Sequence, residues 1–204
     1  MNEVIIRFAD PARDAARILE VYRPFIEETA ITFEDEIPDG AAFERRVADI
    51  AREFPYLLLE IDGELAGYVY AHRQHERAAY AWNAELTIYL AARWQRRGLG
   101  GPFYALLMRL LELQGYISFF ALITASNAGS IALHERLGFS QVGYHARTGW
   151  KFGAWHDVAW LHRRVREGAP GEIVPIGALD HQAVARELAA AEAEIFRRLS
   201  SEKP

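Results

Sequence analysis

Along the first half of the chain, apolar residues follow two different patterns, one at helical spacing and one of short runs. Apolar side chains recur every three or four residues behind Asp10 and again behind Asp39, which predicts two amphipathic helices. The pair Asp62-Gly63 is typical of a hairpin turn between two strands. Short apolar runs bounded by turn residues predict three strands, at residues 4–8, 56–61 and 65–71.

The second half continues this alternation of strands and helices. The order β-α-α-β-β-β-α-β-α-β-β predicts one α/β domain with a mixed, partly antiparallel sheet. The pattern predicts further strands at residues 80–90, 116–124, 139–146 and 156–164, and helices at residues 98–114 and 128–137.

The last forty residues follow a different pattern from the domain. Residues 167–177 contain two Pro and three Gly, which is typical of a linker. Beyond it, apolar positions from Leu188 to Leu199 lie at helical spacing, so residues 179–200 are predicted to form an amphipathic helix. We therefore divide the chain into a domain at 1–165 and a linker with a C-terminal helix at 166–204. This helix packs either on the domain or on another subunit.

Composition narrows the classes of function. The 204 residues include no Cys, which excludes disulfides, a thiolate nucleophile and a Cys-ligated zinc site. The net charge of −5 argues against general nucleic-acid binding. The richest apolar stretch, residues 116–125, is too short to span a membrane, and the N-terminus lacks the features of a signal peptide. We expect a soluble, cytoplasmic protein with no nucleic-acid or membrane partner.

The most informative segment is WQRRGLGGP at residues 94–102, between a predicted strand and a predicted helix. Its glycines permit tight turns, the helix start offers N–H groups to an anion, and Arg96 and Arg97 add positive charge. These features indicate a diphosphate site, although a solvated turn with incidental arginines has the same composition. The dinucleotide fingerprint fails because Phe103 replaces its third Gly, and a P-loop fails because no Lys follows.

The spacing Q-x-x-G-x-G at residues 95–100 resembles the acetyl-CoA diphosphate loop of the GNAT acetyltransferase superfamily. The resemblance runs over residues 4–165 and is closest to the phosphinothricin and methionine sulfone N-acetyltransferases. The loop at 29–34 agrees with that subgroup less closely. Three other segments carry the resemblance, at residues 77–85, 127–139 and 149–157.

This resemblance implies a GNAT fold, with a mixed, mostly antiparallel sheet flanked by helices, to which the C-terminal helix is added. It also implies acetyl-CoA as co-substrate, no metal, a small amino-acid-like amine as acceptor and a homodimer. The residues implied to bind CoA are Ile88, Tyr89, Leu90, Arg96, Arg97, Gly98, Leu99, Gly100, Gly101, Asn127 and Ser130.

Three residues are candidates for proton transfer. Glu85 matches the general base of the subgroup, and burial among its apolar neighbours would raise its pKa; an exposed position on the strand is the alternative. The resemblance places His134 beside the active site and assigns Tyr104 the protonation of the leaving thiolate. A structural hydrogen bond for His134 and a core position for Tyr104 are the alternatives.

The acceptor pocket is less clearly marked in the sequence. The subgroup's substrates carry anionic groups, for which Arg77 is the best-placed cation, with Arg73 second, while Phe33 and Tyr80 are candidate pocket walls. Spacing of three residues puts His72 and His75 on opposite strand faces, so no metal site is predicted. Two other functions stay open: a non-catalytic acyl-CoA sensor, and an acetyltransferase for a peptide N-terminus or an antibiotic.

Overall fold

The computed structural model describes residues 3–201, and a seven-stranded sheet forms the centre of the molecule. The strands are β1 Val4–Phe8, β2 Tyr56–Ile61, β3 Glu64–Arg73, β4 Asn83–Leu90, β5 Ser118–Thr124, β6 Ser140–Lys151 and β7 Ala154–Arg164. Their order in the sheet is β1-β2-β3-β4-β5-β7-β6, and neighbouring strands are antiparallel except β4 and β5, which are parallel.

Five α-helices accompany the sheet within the described residues. The helices are α1 Pro11–Glu28, α2 Gly40–Glu53, α3 Gly100–Gln114, α4 Ala128–Arg136 and α5 His181–Ser201. The pair α1 and α2 covers one face of the sheet, where Tyr56, Leu58 and Tyr68 are buried, and α3 and α5 cover the other face. Both faces of strand β2 are therefore buried, which agrees with its apolar residues at almost every position.

The parallel pair β4 and β5 separates part-way along its length. Residues 83–85 pair with residues 118–120, and Glu85 opposite Phe120 is the last pair of this ladder. Beyond Glu85, residues 86–90 pair with β3 on their other side, as Leu90 does with Gly67. The backbone of this half of β4 therefore faces an opening in the sheet, and this opening positions the site described below.

The predicted fold class is confirmed, and several predicted boundaries were wrong, with the largest differences in β4 and in the last hairpin. The strand predicted at 80–90 begins at Asn83, because the 3₁₀ turn Ala78–Tyr80 and a turn at residues 81–82 precede it. Beside this turn, Trp82 Nε1 donates a hydrogen bond of 2.7 Å to Gly171 O in the linker. The last hairpin is longer than the predicted strands at 139–146 and 156–164. Its turn lies at Phe152-Gly153, where both residues have positive φ (51° and 73°), so pairing continues through Lys151 and Ala154.

The C-terminal helix α5 packs back on the domain. Ala191, Ile195 and Leu199 are buried in the same core cluster as α3. Glu192 Oε1 accepts a hydrogen bond of 2.7 Å from the backbone N–H of Ile6 in the outermost strand. Of the two positions left open by the sequence, the structure shows the one on the chain's own domain.

Among residues 3–201, no helix combines the length and the apolar character needed to cross a membrane. The cytoplasmic location stays a prediction.

Candidate active site

A cavity of about 420 Å³ lies at the opening between β4 and β5, bordered by the starts of α3 and α4. Arg97 is the one predicted CoA residue that does not line it. The predicted residues on its wall are Ile88, Tyr89, Leu90, Arg96, Gly98, Leu99, Gly100, Gly101, Asn127 and Ser130. The structure therefore brings together segments that are up to about forty positions apart in the sequence.

The loop before α3 has the geometry of an anion-binding turn. Gln95 holds the start of this loop against the end of β4, because its Nε2 donates a hydrogen bond of 2.8 Å to Leu90 O. Arg96 and Gly98 both have positive φ, 59° and 71°, which turns the chain sharply into the helix at Gly100. The first N–H groups of α3 have no acceptor within the helix, so they are available to a phosphate.

Positive charge reaches this cavity from three elements. Arg96 comes from the loop, Arg136 from α4 and Arg198 from α5, and all three line the cavity. Arg97 instead places its guanidinium 4.8 Å from the centre of the Trp94 ring, so the structure gives it a stacking contact away from the cavity wall. Arg136 and Arg198 were missed by sequence reasoning because neither belongs to the loop motif.

The cavity extends between the strands into a narrower cleft of about 90 Å³, which is lined by residues 86–89 of β4 and residues 121–124 of β5. Asn127 lies at its edge and caps α4, because its Oδ1 accepts a hydrogen bond of 3.1 Å from Ser130 N. The unpaired β4 backbone, the free helix start and the cationic rim fit the pantetheine arm and the phosphates of CoA.

Glu85 lies where the strands separate. Its side chain is 21% exposed, and burial raises the pKa of its carboxyl, while His72 acts in the opposite direction. His72 is the direct cross-strand neighbour of Glu85, with Nε2 3.8 Å from Oε1. His72 Nδ1 donates to Arg73 O at 2.9 Å, which orients Nε2 toward the carboxylate. The register of the β3–β4 pair was the signal that could have identified His72.

His134 and Tyr104 form a buried pair. Burial lowers the pKa of His134, and its Nδ1–H donates to Ser130 O at 2.8 Å, so the neutral ring presents Nε2 as an acceptor. The Tyr104 hydroxyl lies 2.8 Å from that nitrogen and 3.2 Å from Leu86 O, and its single proton is shared between these acceptors. His134 lines the narrow cleft, whereas Tyr104 is 0% exposed and lies behind it.

The segment between α1 and α2 is tied to the far end of the sheet. Phe33 lies directly over Gly149, where an added Cβ would be 2.3 Å from the ring. Lys151 Nζ donates to Thr32 O at 2.9 Å, and burial lowers the pKa of this amine. Thr124 Oγ1 donates to Ala30 O at 2.7 Å. Sequence reasoning chose Phe33 but did not give Lys151 a role.

None of the predicted acceptor residues, Phe33 included, lines either of these cavities. Arg77 and Tyr80 are exposed around the short 3₁₀ turn Ala78–Tyr80, where Tyr80 packs against His75. Arg73, the second candidate cation, is paired with Glu53 at 2.6 Å. Across the described part of the chain, no group of three His, Asp or Glu side chains is arranged to hold a metal ion.

Comparison with known proteins decides the family. The acetyltransferase (GNAT) domain family matches residues 6–160. The chain belongs to the GNAT acetyltransferase family. This confirms the predicted resemblance, and it confirms acyl transfer with acetyl-CoA as co-substrate, which GNAT acetyltransferases use.

Individual relatives narrow the similarity further. Phosphinothricin N-acetyltransferase of Streptomyces viridochromogenes is 34% identical over 159 residues, 78% of this chain and 87% of that protein. L-methionine sulfoximine/L-methionine sulfone acetyltransferase of Salmonella typhimurium is 31% identical over 168 residues, 80% of this chain and 96% of that protein. The crystal structure of a GNAT phosphinothricin acetyltransferase from Sinorhizobium meliloti with AcCoA has a TM-score of 0.79 at 31% identity, covering 86% and 97% of the two chains.

Proposed function

We propose that the protein transfers an acetyl group to the amino group of a small amino acid of the phosphinothricin, methionine sulfone or methionine sulfoximine type. The observation that carries this proposal is the place of Glu85 at the closed end of the opening between β4 and β5. The names of the relatives support the class of acceptor. The same names argue against the non-catalytic sensor.

Glu85 is the proposed general base. An ammonium group must lose a proton before its nitrogen can act as a nucleophile, and a carboxylate takes that proton directly or through one water. Burial raises the pKa of the Glu85 carboxyl, which brings its basicity closer to that of the group it serves. His72, 3.8 Å away, limits the rise and keeps a larger fraction of Glu85 ionised.

Acetyl-CoA, when bound, supplies the thioester whose acetyl group is transferred. The chain positions it with the exposed backbone of residues 86–90, the loop at 95–101 and the start of α4. We call these three segments the coenzyme side. Backbone N–H groups of β4 are preorganised donors for negative charge that develops on the acyl oxygen. Placing both reactants at one point provides much of the rate in a direct transfer.

His134 and Tyr104 are the proposed source of the proton for the leaving sulfur. His134 faces the cleft, and the step moves two protons: the Nδ1–H of His134 leaves Ser130 O for the leaving thiolate, and Nε2 takes the hydroxyl proton of Tyr104 in its place. The ring of His134 is neutral again, and the Tyr104 phenolate then regains its proton from solvent. Burial raises the pKa of Tyr104 and therefore keeps its hydroxyl protonated. The predicted direct contact of Tyr104 with the leaving group is thus replaced in the proposal by a relay through His134.

The acceptor binds on the amine side, which we define as residues 29–34, Thr124 and residues 149–151. Phe33 forms its wall, and the bonds from Lys151 and Thr124 hold this segment in place. Arg77 and Tyr80 stay predictions as substrate residues.

We also propose a homodimer that uses the β6–β7 hairpin. This hairpin carries an exposed aromatic surface whose largest members, Trp150 and Phe152, are 60% and 61% exposed. Apolar surface of this kind is typical of protein interfaces. Light scattering should give twice the chain mass, and Trp150→Ser should shift the protein toward the monomer. A monomeric wild type would contradict the proposal.

An amine panel with acetyl-CoA, followed by release of free thiol, tests the acceptor class. We expect release with phosphinothricin, methionine sulfone and methionine sulfoximine, and none above background with an alanine-leading peptide. Release of thiol with the peptide alone would show that the acceptor is a peptide N-terminus. Release with no amino acid would overturn the proposed acceptor.

A further inference from the structure

The C-terminal helix reaches the coenzyme side although it lies beyond the segment matched by the family. That match ends at residue 160, and α5 begins at His181. Near the end of α5, Arg198 lines the same cavity as the loop at 95–101. We propose that Arg198 binds a phosphate group of CoA, so that a helix outside the family domain completes the coenzyme site.

The contact between Arg198 and the loop is specific. Arg198 Nη1 donates a hydrogen bond of 3.2 Å to Gly98 O. A Cβ atom at position 98 would lie 3.1 Å from the same nitrogen. The guanidinium therefore lies against the tight turn that leads to the N–H groups of α3, and Gly98 leaves it the space to do so.

The helix also holds this guanidinium in a fixed orientation. Glu194, one turn earlier, accepts a hydrogen bond of 2.9 Å from Nε, and its Oε1 lies 2.8 Å from Nη2 in the same ion pair. The backbone beneath is anchored because Ile195 and Leu199 are buried in the core. Arg198 is thus positioned in advance, so little side-chain freedom is lost when a ligand binds.

The N–H donors of Arg198 and the charge of the cavity wall favour a phosphate group as the ligand. A guanidinium has five N–H groups, and the described hydrogen bonds of Arg198 use two of them, on Nε and Nη1, which leaves N–H groups for a further acceptor. Arg96 and Arg136 line the same cavity from other elements, so an anion placed there meets three cations. Paired N–H donors of Arg suit phosphate oxygens, which CoA carries in its diphosphate and in its 3′-phosphate.

Titration calorimetry with CoA tests this proposal, using Arg198→Ala and a matched control, Arg197→Ala. Arg197 precedes Arg198 on α5, pairs with the same Glu194 at 2.6 Å and does not line the cavity. We expect the Kd for CoA to rise about tenfold in Arg198→Ala and less than about twofold in Arg197→Ala. Arg198→Lys should fall between them, because it keeps the charge but loses the paired donors.

A second titration with dephospho-CoA identifies the phosphate. An equal loss with both ligands assigns Arg198 to the diphosphate, and a loss with CoA alone assigns it to the 3′-phosphate. Wild-type affinity in Arg198→Ala, or an equal loss in both Ala variants, would overturn the proposal. The inference rests on CoA as the ligand of the cavity. Failure of the wild type to bind CoA would be a failure of that assignment, which the same titration distinguishes.

Discussion

The coenzyme side draws its backbone contacts from one strand, one loop and one helix start, whereas the amine side joins three distant parts of the chain. The loop at 95–101 forms its turn from adjacent residues. Phe33 depends on Gly149, and Thr32 depends on Lys151, across more than a hundred positions. The backbone contacts that bind CoA therefore depend on local geometry, while selection of the amine acceptor depends on packing between distant segments.

Glu85 lies at the boundary between these two sides. Its replacement should therefore change the rate of acetyl transfer without changing the affinity for CoA. We expect Glu85→Gln to lower kcat by about 10²–10⁴-fold, because the amine loses its base, while the Kd for CoA stays within about twofold. Steady-state rates and CoA titration of one preparation measure both quantities. Glu44→Gln, on the exposed face of α2, is the control. An unchanged kcat in Glu85→Gln would remove Glu85 from the role of base.

The stability of the domain should depend on the packing of α5, which brings Arg198 to the coenzyme side. Ile195 is 0% exposed, so Ile195→Ala leaves a cavity and should lower the free energy of unfolding by about 2–5 kcal/mol. Leu113→Ala removes a similar side chain from an exposed position of α3 and should cost much less. Urea unfolding measures the difference. Equal losses in the two variants would mean that α5 does not stabilise the domain.

The amine side can be disturbed alone through Gly149. An added Cβ at this position would overlap the Phe33 ring, so Gly149→Ala should displace the ring and raise KM for the acceptor about tenfold. The Kd for CoA should stay at the wild-type value. Gly177→Ala, where nothing lies within 4 Å of the new atom, is the matched control. A loss of CoA affinity in Gly149→Ala would show that the two sides are coupled.

The smallest expected effect concerns His72. The coulombic influence of this side chain, 3.8 Å from Glu85, favours the ionised carboxylate and so lowers the pKa of that carboxyl. His72→Asn removes this influence, so the acidic limb of kcat/KM should move to higher pH and activity on that limb should fall about two- to fivefold. His75→Asn, at an exposed position nearby, should leave the limb in place. Superimposable profiles for wild type and His72→Asn would contradict this assignment.

The same contrast explains what the sequence could predict. The turn at residues 95–100 was predictable because glycines within this short segment mark it, and Gly98 has the positive φ that glycine favours. Arg198 was not, because its position depends on how a helix about a hundred residues later docks on the core. The start of β4 was misplaced for a different reason: Tyr80 and Trp82 extend the apolar pattern of the strand, yet residues 78–80 form a 3₁₀ turn before it.

Whether Glu85 is the general base is best tested by the pH dependence of kcat/KM in wild type and Glu85→Gln, measured with the best acceptor of the panel. A base must be deprotonated to act, so the wild-type rate should fall as pH drops through the pKa of Glu85, which burial raises above the ordinary carboxyl value. The residual activity of Glu85→Gln should lack this acidic limb. The same limb persisting in Glu85→Gln would assign the titration to another group and remove Glu85 from the role of general base.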